Sequence, residues 1–186
     1  MSRKYKINDQ ELPYFVTFTV VNWIDVFIRS EFKDILLQSI KYCQENKGLK
    51  VHAWVIMTSH AHFILGTSGD KKLEEIIRDL KSFTSRHIRL LLEDKRFVGE
   101  SRREWMLWMM KNAGLKNSNN KDFQLWQQHN HPIEISSEEL LHEKLEYIHD
   151  NPVAMGFVES GEHWLYSSAR DYYGTGKGLI DIEFLS

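Results

Sequence analysis

Hydrophobic and polar positions follow two periods along the chain, and the changes between them divide the sequence into strands and helices. Period-two stretches of β-branched and aromatic residues predict strands, whereas apolar residues at i, i+3 and i+4 predict amphipathic helices. In chain order this predicts a strand over 14–21, a helix over 31–46 that Gly48 stops, strands over 49–57 and 60–67, a helix over 71–92, a short helix over 105–110, a strand around 125–127 and a final helix.

The final helix has a start signal, a stop signal and one apolar stripe. Ser136 and Glu139 form a Ser-x-x-Glu capping box, which predicts that the helix starts at Ser136. Pro152 is predicted to stop it just after Asn151. The stripe expected to dock on the sheet consists of Leu141, Leu145 and Ile148.

The order of the first six long elements is strand, helix, strand, strand, helix, strand. This order is that of a ferredoxin-like α+β sandwich, in which helices cover one face of a central antiparallel sheet. The final helix is an addition to that fold. No linker or repeat divides the sequence, so we expect one domain over residues 1–186.

The composition is that of a soluble globular protein, with 42% hydrophobic and 27% charged residues. No apolar run approaches the ~18 residues needed to span a membrane, and the N-terminus lacks the apolar stretch of a signal peptide. Cys43 is the single cysteine, so no intrachain disulfide is expected and a cytoplasmic location is the default expectation.

Charge is unevenly distributed, although the formal net charge of −2 argues weakly against a nucleic-acid partner. Residues 78–121 hold 11 basic and 5 acidic side chains, whereas residues 122–186 hold 3 basic and 12 acidic ones. A phosphate backbone would bind the basic middle of the chain. A solvated helix and loop would show the same pattern, and both interpretations stay open.

Two histidines near the start of the third strand are candidate metal ligands. His60 and His62 flank Ala61, and residues two apart in a strand point to the same face, about 7 Å apart. Two imidazoles in this arrangement can hold one divalent cation if a third ligand comes from elsewhere. The alternative is that they are incidental polar residues on a half-exposed strand.

The final helix carries a candidate nucleophile. Tyr147 and Asn151 are four residues apart and therefore lie on the same helix face. A phenol beside a metal-bound phosphodiester can form a phosphotyrosine ester, and an amide oxygen can complete the metal shell. Tyr147 can equally be a packing residue at the helix edge. The competing tyrosines are Tyr42, Tyr166, Tyr172 and Tyr173.

Together, these segments resemble the single-tyrosine transposases of the HUH nuclease superfamily, and most closely the subgroup associated with repetitive extragenic palindromes. The similarity is carried by VIMTSHAHFIL, LEYIHDNPVAMGFV and HWLYSSARDYYG, and the N-terminal PYFVTFTVV also fits. Thr58 and Ser59 replace the Pro-Asn that is common before the histidines, a change not expected to touch the ligands. Residues 93–121 resemble an insertion relative to short members.

The resemblance implies that His60, His62 and Asn151 hold Mg²⁺ or Mn²⁺ and that Tyr147 attacks single-stranded, hairpin-flanked DNA to give a 5′-phosphotyrosine intermediate during transposition. Some members are dimers that exchange the tyrosine helix, so both a homodimer and a monomer stay open. The candidate phosphate contacts are Arg78, Lys81, Arg86 and Arg89. The tryptophans that either stack on bases or pack in the core are Trp105, Trp108 and Trp126.

Three alternative functions stay open at this point. A non-catalytic module can bind single-stranded nucleic acid through sheet aromatics such as Phe15 and Phe18. A metal-dependent phosphohydrolase can use an activated water, with Tyr147 structural. A domesticated protein can keep the site for a role in genome maintenance.

Overall fold

The computed structural model describes residues 7–69, 71–118, 122–128 and 130–185. Residues 119–121 of the predicted insertion lie outside this range. No helix in the described part of the chain is long and apolar enough to cross a membrane. The elements are β1 (Tyr14–Thr19), α1 (Ser30–Lys47), β2 (Leu49–Ile56), β3 (His60–Thr67), α2 (Leu73–Glu93), α3 (Arg103–Leu115), β4 (Ile133–Glu134), α4 (Glu138–Ala154) and α5 (Ala169–Tyr173).

The four strands form one antiparallel sheet in the order β2-β3-β1-β4. This is the strand order of a ferredoxin-like sandwich, and it confirms the predicted α+β fold. The register of β1 against β3 places Thr17 opposite His62 and Thr19 opposite His60. Gly48 ends α1 in a left-handed conformation with φ 70°, as its position in the sequence predicts.

Apolar residues cover both faces of the sheet, but unequally. The main core lies on one face, where alternate residues of the strands pack against α1, α2 and α3. A smaller cluster lies on the other face, where Ile148 of α4 packs against Phe15, Val55 and Ile64. The predicted stripe of α4 therefore docks on the sheet as expected, and α4 lies opposite the other long helices.

The fourth strand is not where the sequence pattern places it. Around Leu125–Gln127 the structure has only an isolated bridge between Val20 and Trp126, and β4 lies further on, at Ile133–Glu134. Between the two contacts the Asn130 carbonyl still accepts a hydrogen bond from the Thr17 N–H at 3.2 Å, but Pro132 has no N–H and His131 has a positive φ of 42°, so the pairing with β1 is irregular there. The prediction was therefore wrong in position, although both segments run beside β1.

The bounds of two helices, α4 and α3, also differ from the predictions. Ser137, not Ser136, is the N-cap of α4, and its hydroxyl accepts a hydrogen bond from the Leu140 N–H at 3.2 Å. Pro152 does not stop this helix, which continues to Ala154, because a proline in the last turn removes only one backbone donor. The short helix predicted over 105–110 is longer in the structure and spans Arg103–Leu115.

His52 makes the stability of the fold depend on pH. Its side chain is buried in β2, its Nδ1 lies 2.6 Å from the Glu183 carbonyl, and burial lowers its pKa below 6.5. The folded chain therefore keeps His52 neutral where the unfolded chain binds a proton. Its contribution to stability is present above about pH 6.5 and is lost as the pH falls toward the lowered pKa.

We therefore expect His52→Gln to reduce the acid dependence of stability, because an amide can donate to Glu183 without titrating. The measurement is the free energy of urea unfolding between about pH 8 and about pH 5, which should fall less for the variant than for the wild type. His142→Gln, at an exposed histidine on α4, is the control and should match the wild-type slope. Equal slopes for His52→Gln and the wild type would contradict the prediction.

Candidate active site

The candidate site lies where the start of β3 meets α4, on the face of the sheet opposite α1 and α2. His60 and His62 project from this face with ring centroids 4.9 Å apart and ring planes at 71°. His62 is buried and His60 is half-buried. The strand therefore brings the two imidazoles together as their spacing predicts.

Tyr147 of α4 lies over the second histidine. Its hydroxyl is 3.5 Å from His62 Nε2, and the two rings meet edge to face with centroids 5.0 Å apart. The Tyr147 side chain is also 49% exposed. The phenol is therefore accessible to a substrate while it lies within reach of the histidine pair.

Asn151 follows one turn later on α4. Its Oδ1 is buried and accepts no hydrogen bond from any residue in the described part of the chain. A buried oxygen without a donor is energetically costly, so such an atom in a native fold calls for a partner. The Asn151 side chain lies beside His60, whose pKa is lowered by burial, and the contact with Asn151 opposes that shift only in part.

Both histidines are held neutral. Burial, followed by repulsion from His60, lowers the pKa of His62 to about 3. Burial also lowers the pKa of His60, and this effect outweighs the opposing effects of Asn151 and Asp25. A neutral imidazole can bind a metal without first losing a proton.

The site has the donors for a divalent cation. Among the described residues no three His, Cys, Asp or Glu side chains cluster in a way that would hold a metal, so the donors here are two imidazole nitrogens and the unpaired amide oxygen of Asn151. Imidazole suits transition metals, and an amide oxygen suits Mg²⁺ or Mn²⁺. These residues therefore fit the predicted metal.

Hydroxyl groups orient the two imidazoles. Thr17 Oγ1 lies 2.8 Å from His62 Nδ1, and Ser59 Oγ lies 3.3 Å from His60 Nδ1. Hydrogen bonds at Nδ1 fix the ring orientation and leave Nε2 as the atom that binds a metal. The expectation that the Thr58-Ser59 turn does not touch the ligands was wrong, because Ser59 contacts His60 directly.

The C-terminal segment fixes α4 on the sheet. Ser168 donates from its backbone to the Trp54 carbonyl, and its Oγ accepts from the Trp54 N–H at 3.0 Å and lies 2.9 Å from His149 Nε2. Trp164 Nε1 donates to the Ile56 carbonyl at 3.0 Å. Because His149 lies between Tyr147 and Asn151, this network holds the helix segment that carries both.

The competing tyrosines lie elsewhere. Tyr172 donates its hydroxyl to the His52 carbonyl, and Tyr166 lies 4.1 Å below the Lys33 ammonium. Tyr173 packs against the buried ring of His149, and Tyr42 is exposed on α1. Tyr147 is the tyrosine whose hydroxyl contacts His62.

The two sheet aromatics of the binding-module alternative point to opposite faces. Phe18 is fully buried in the main core. Phe15 is 7% exposed, stacks on His62 at 5.4 Å and meets Tyr147 edge-on at 5.9 Å. Neither offers a free face to a base. Thr17 and Phe15 are two residues apart on β1 and both contact His62. Their alternation in the sequence is the signal by which sequence reasoning could have found these supporting residues.

The predicted phosphate contacts line a groove of about 690 Å³ between α2 and residues 122–128 and 130. Arg78 and Arg86 are exposed there. Lys81 is turned inward, where it donates to the Gln127 carbonyl at 2.9 Å and burial lowers its pKa to about 8. Arg89 forms a bidentate pair with Asp122. The exposed Arg78 guanidinium also donates to the neighbouring Asp79 carboxylate at 3.2 Å. The four residues thus share one groove, but three of them contact groups of the same chain.

The three candidate stacking tryptophans also divide into buried and exposed residues. Trp126 is 5% exposed, and its indole N–H donates to Thr84 Oγ1 at 2.9 Å, so it is a core residue. Trp105 and Trp108 on α3 are 48% and 61% exposed.

One solved structure shows the same fold. A structure of a REP-associated tyrosine transposase bound to a REP hairpin matches with a TM-score of 0.66 and 18% sequence identity, covering 100% of this chain and 96% of that one. A structure assigned to a transposase of Deinococcus radiodurans matches with a TM-score of 0.44 and 18% identity over 79% of this chain and 95% of that one. The comparison with curated proteins gives no match.

The sequence model of the family described as "Transposase IS200 like" matches residues 10–109. This range includes β1, both histidines and α2, and it ends before the helix that carries Tyr147 and Asn151. Since the match covers more than half of the chain, the protein belongs to the IS200-like transposase family.

Proposed function

We propose that the chain is a divalent-metal-dependent endonuclease and strand transferase that cuts single-stranded, hairpin-flanked DNA with Tyr147. One observation carries the proposal: the Tyr147 hydroxyl lies 3.5 Å from His62 Nε2 at a site where Asn151 Oδ1 is buried and accepts no hydrogen bond among the described residues. A nucleophile beside two neutral imidazoles and an unpaired oxygen suits phosphodiester cleavage.

Tyr147 attacks the scissile phosphorus in line with the departing 3′-oxygen. The Tyr147 Oη–P bond forms and the P–O3′ bond breaks, which leaves a 5′-phosphotyrosine and a free 3′-hydroxyl. The phenol proton passes to solvent, since the side chain is half exposed, and the 3′-oxygen takes a proton as it leaves. Attack by another 3′-hydroxyl reverses these steps and rejoins DNA without ATP.

His60, His62 and Asn151 would hold the cation. When bound, it neutralises charge on the scissile phosphate. A donor set of two imidazoles and one amide favours Mn²⁺ over Mg²⁺, because imidazole binds transition metals better. All of these side chains and Tyr147 come from one chain, so a monomer can complete the site.

The hairpin substrate is inferred from the family and from the neighbouring transposase that is bound to a hairpin. The groove along α2 supplies a basic surface for the phosphate backbone. It lies next to β1, because Gln127 and Asn130 contact the backbone of Thr19 and Thr17. The same strand therefore supports both the groove and the histidines. We further propose that residues 1–186 form one domain in which the insertion over 93–121 packs against the main core through α3.

Within this groove we expect Arg78→Ala and Arg86→Ala each to weaken DNA binding and to reduce the slope of log affinity against log salt by about 1, because each exposed guanidinium neutralises one phosphate. The measurement is fluorescence anisotropy of a labelled DNA hairpin over a range of salt concentrations. Arg96→Ala is the control, since this arginine is exposed outside the groove. An unchanged slope for both groove variants would contradict the prediction.

The proposed function is tested by incubating the protein with a DNA hairpin library that has randomised single-stranded flanks, in the presence of Mn²⁺. We expect a covalent protein–DNA species that survives denaturation and is absent when the metal is chelated. Sequencing of the trapped DNA then defines the cleaved site. No adduct with any member would overturn the proposal.

A further inference from the structure

One aromatic side chain beside the histidines is not used by the proposed chemistry. Trp23 lies in the loop between β1 and α1, and its indole meets the His60 ring edge to face at a centroid distance of 5.5 Å. The row of rings continues from His60 to His62 at 4.9 Å and from His62 to Tyr147 at 5.0 Å. Trp23 therefore lies at one end of a row of four rings, and the proposed nucleophile Tyr147 lies at the other end.

The backbone holds Trp23 in this position against its own preference. Asn22 and Trp23 both have φ of 55°, a left-handed conformation that is sterically unfavourable for a bulky side chain. Such outliers persist only where the surroundings fix them, and they concentrate at functional sites. The neighbours on either side, Val21 and Ile24, are 5% and 3% exposed and anchor the turn in the main core.

The loop is also tied to the turn before the histidines. Thr58 Oγ1 donates to the Asp25 carboxylate at 2.6 Å, and the Phe27 N–H donates to the Thr58 carbonyl at 2.8 Å. Arg102 donates to the Asp25 carbonyl at 3.1 Å. A proline at position 58 would have no hydroxyl to make the first of these contacts. The position of Trp23 is thus coupled to the position of His60.

Core packing does not account for this indole, because it is 59% exposed. An exposed, rigidly held indole is the side chain on which an unpaired base stacks. We propose that Trp23 is the stacking platform for the unpaired base next to the scissile phosphate. The inference rests on the proposed cleavage of single-stranded DNA at Tyr147.

The test measures stacking separately from cleavage. The probe is a DNA hairpin with single-stranded flanks that carries 2-aminopurine at one flank position at a time, and the protein is Tyr147→Phe, so that the DNA stays intact. We expect the fluorescence of 2-aminopurine at one or two adjacent positions to be quenched by this protein and to recover when Trp23→Ala is added. Trp23→Ala should also weaken binding about tenfold, whereas Trp23→Phe should retain most of the affinity.

Tyr42→Ala is the control, because Tyr42 is a similarly exposed aromatic residue on α1, on the other face of the sheet, and it should leave the signal at those positions unchanged. If no flank position depends on residue 23, the inference is overturned, and an adduct formed by the wild type would still support the proposed function. If quenching depends on residue 23 but the wild type forms no adduct with Mn²⁺, the proposed cleavage fails and the stacking site stands as a binding site.

Discussion

Tyr147→Phe is expected to abolish the covalent protein–DNA adduct and to lower cleavage by about four orders of magnitude or more, the scale seen when a nucleophile is removed from other enzymes. The substitution removes one oxygen, whose contact with a protein group is the 3.5 Å approach to His62 Nε2. The ring keeps its packing against Phe15. DNA affinity and the free energy of unfolding should therefore stay close to the wild-type values.

The measurement is denaturing electrophoresis of labelled hairpin DNA after incubation with Mn²⁺, together with an anisotropy titration of the same DNA. Tyr42→Phe, at an exposed tyrosine on α1, is the matched control and should form the adduct normally. Cleavage by Tyr147→Phe without an adduct would instead indicate a phosphohydrolase that uses an activated water, and the tyrosine would then be structural.

The second large effect is expected from the proposed metal ligands. His60→Ala should lower the cleavage rate by about 10²- to 10³-fold at limiting Mn²⁺, because one of three proposed donors is lost. A higher Mn²⁺ concentration should restore part of the rate. The salt dependence of hairpin binding in the absence of metal should not change, since His60 is not among the basic residues of the groove.

A negative charge added to the same set of proposed ligands should strengthen metal binding instead of weakening it. The proposed ligands are all neutral, so Asn151→Asp should lower the concentration of Mg²⁺ that gives half-maximal cleavage, because a carboxylate is a better ligand for this hard cation. The readout is the initial rate of adduct formation against metal concentration. His142→Ala, at an exposed histidine of α4, is the control. A rate that is independent of metal in all of these proteins would contradict the assignment.

The long elements were predictable because their signals are local. The helices α1 and α2 and the strands β2 and β3 each contain enough periodic positions to decide between the two periods. β4 has only two residues and exists because β1 offers it a backbone edge, a contact that no local pattern carries. The N-cap of α4 lies one residue after the predicted position. The sequence does not decide between the two, because Ser136 and Ser137 are equally good caps.

The candidate site could be assembled in part from spacing. The alternation of β3 places His60 and His62 on one face, and the helical repeat of α4 aligns Tyr147 with Asn151. That the two elements meet is a tertiary fact, which the resemblance implied and the residues alone did not. The strained backbone at Asn22 and Trp23 leaves no mark in the sequence, so the indole beside His60 was not foreseen.

Charged and aromatic side chains on α2 and after it were the least predictable. Lys81 and Arg86 have the same sequence signature, yet one is turned inward to Gln127 and the other is exposed. The difference arises because residues 122–128 lie over one side of α2. Trp126 is buried for the same reason, while Trp108 on the edge of the fold stays exposed.

The C-terminal segment that positions α4 has a second consequence, for solubility. β2 is one of the two outer strands of the sheet, and an uncovered outer strand is a template for pairing with another molecule. Here the outer edge is occupied: Ile56 donates to the Tyr166 carbonyl, Ser168 donates to Trp54, and Glu183 donates to Val51. The stretch that positions α4 thus also protects this edge of the sheet against pairing with another molecule, so loss of the proposed cleavage activity would leave a structural reason to retain it.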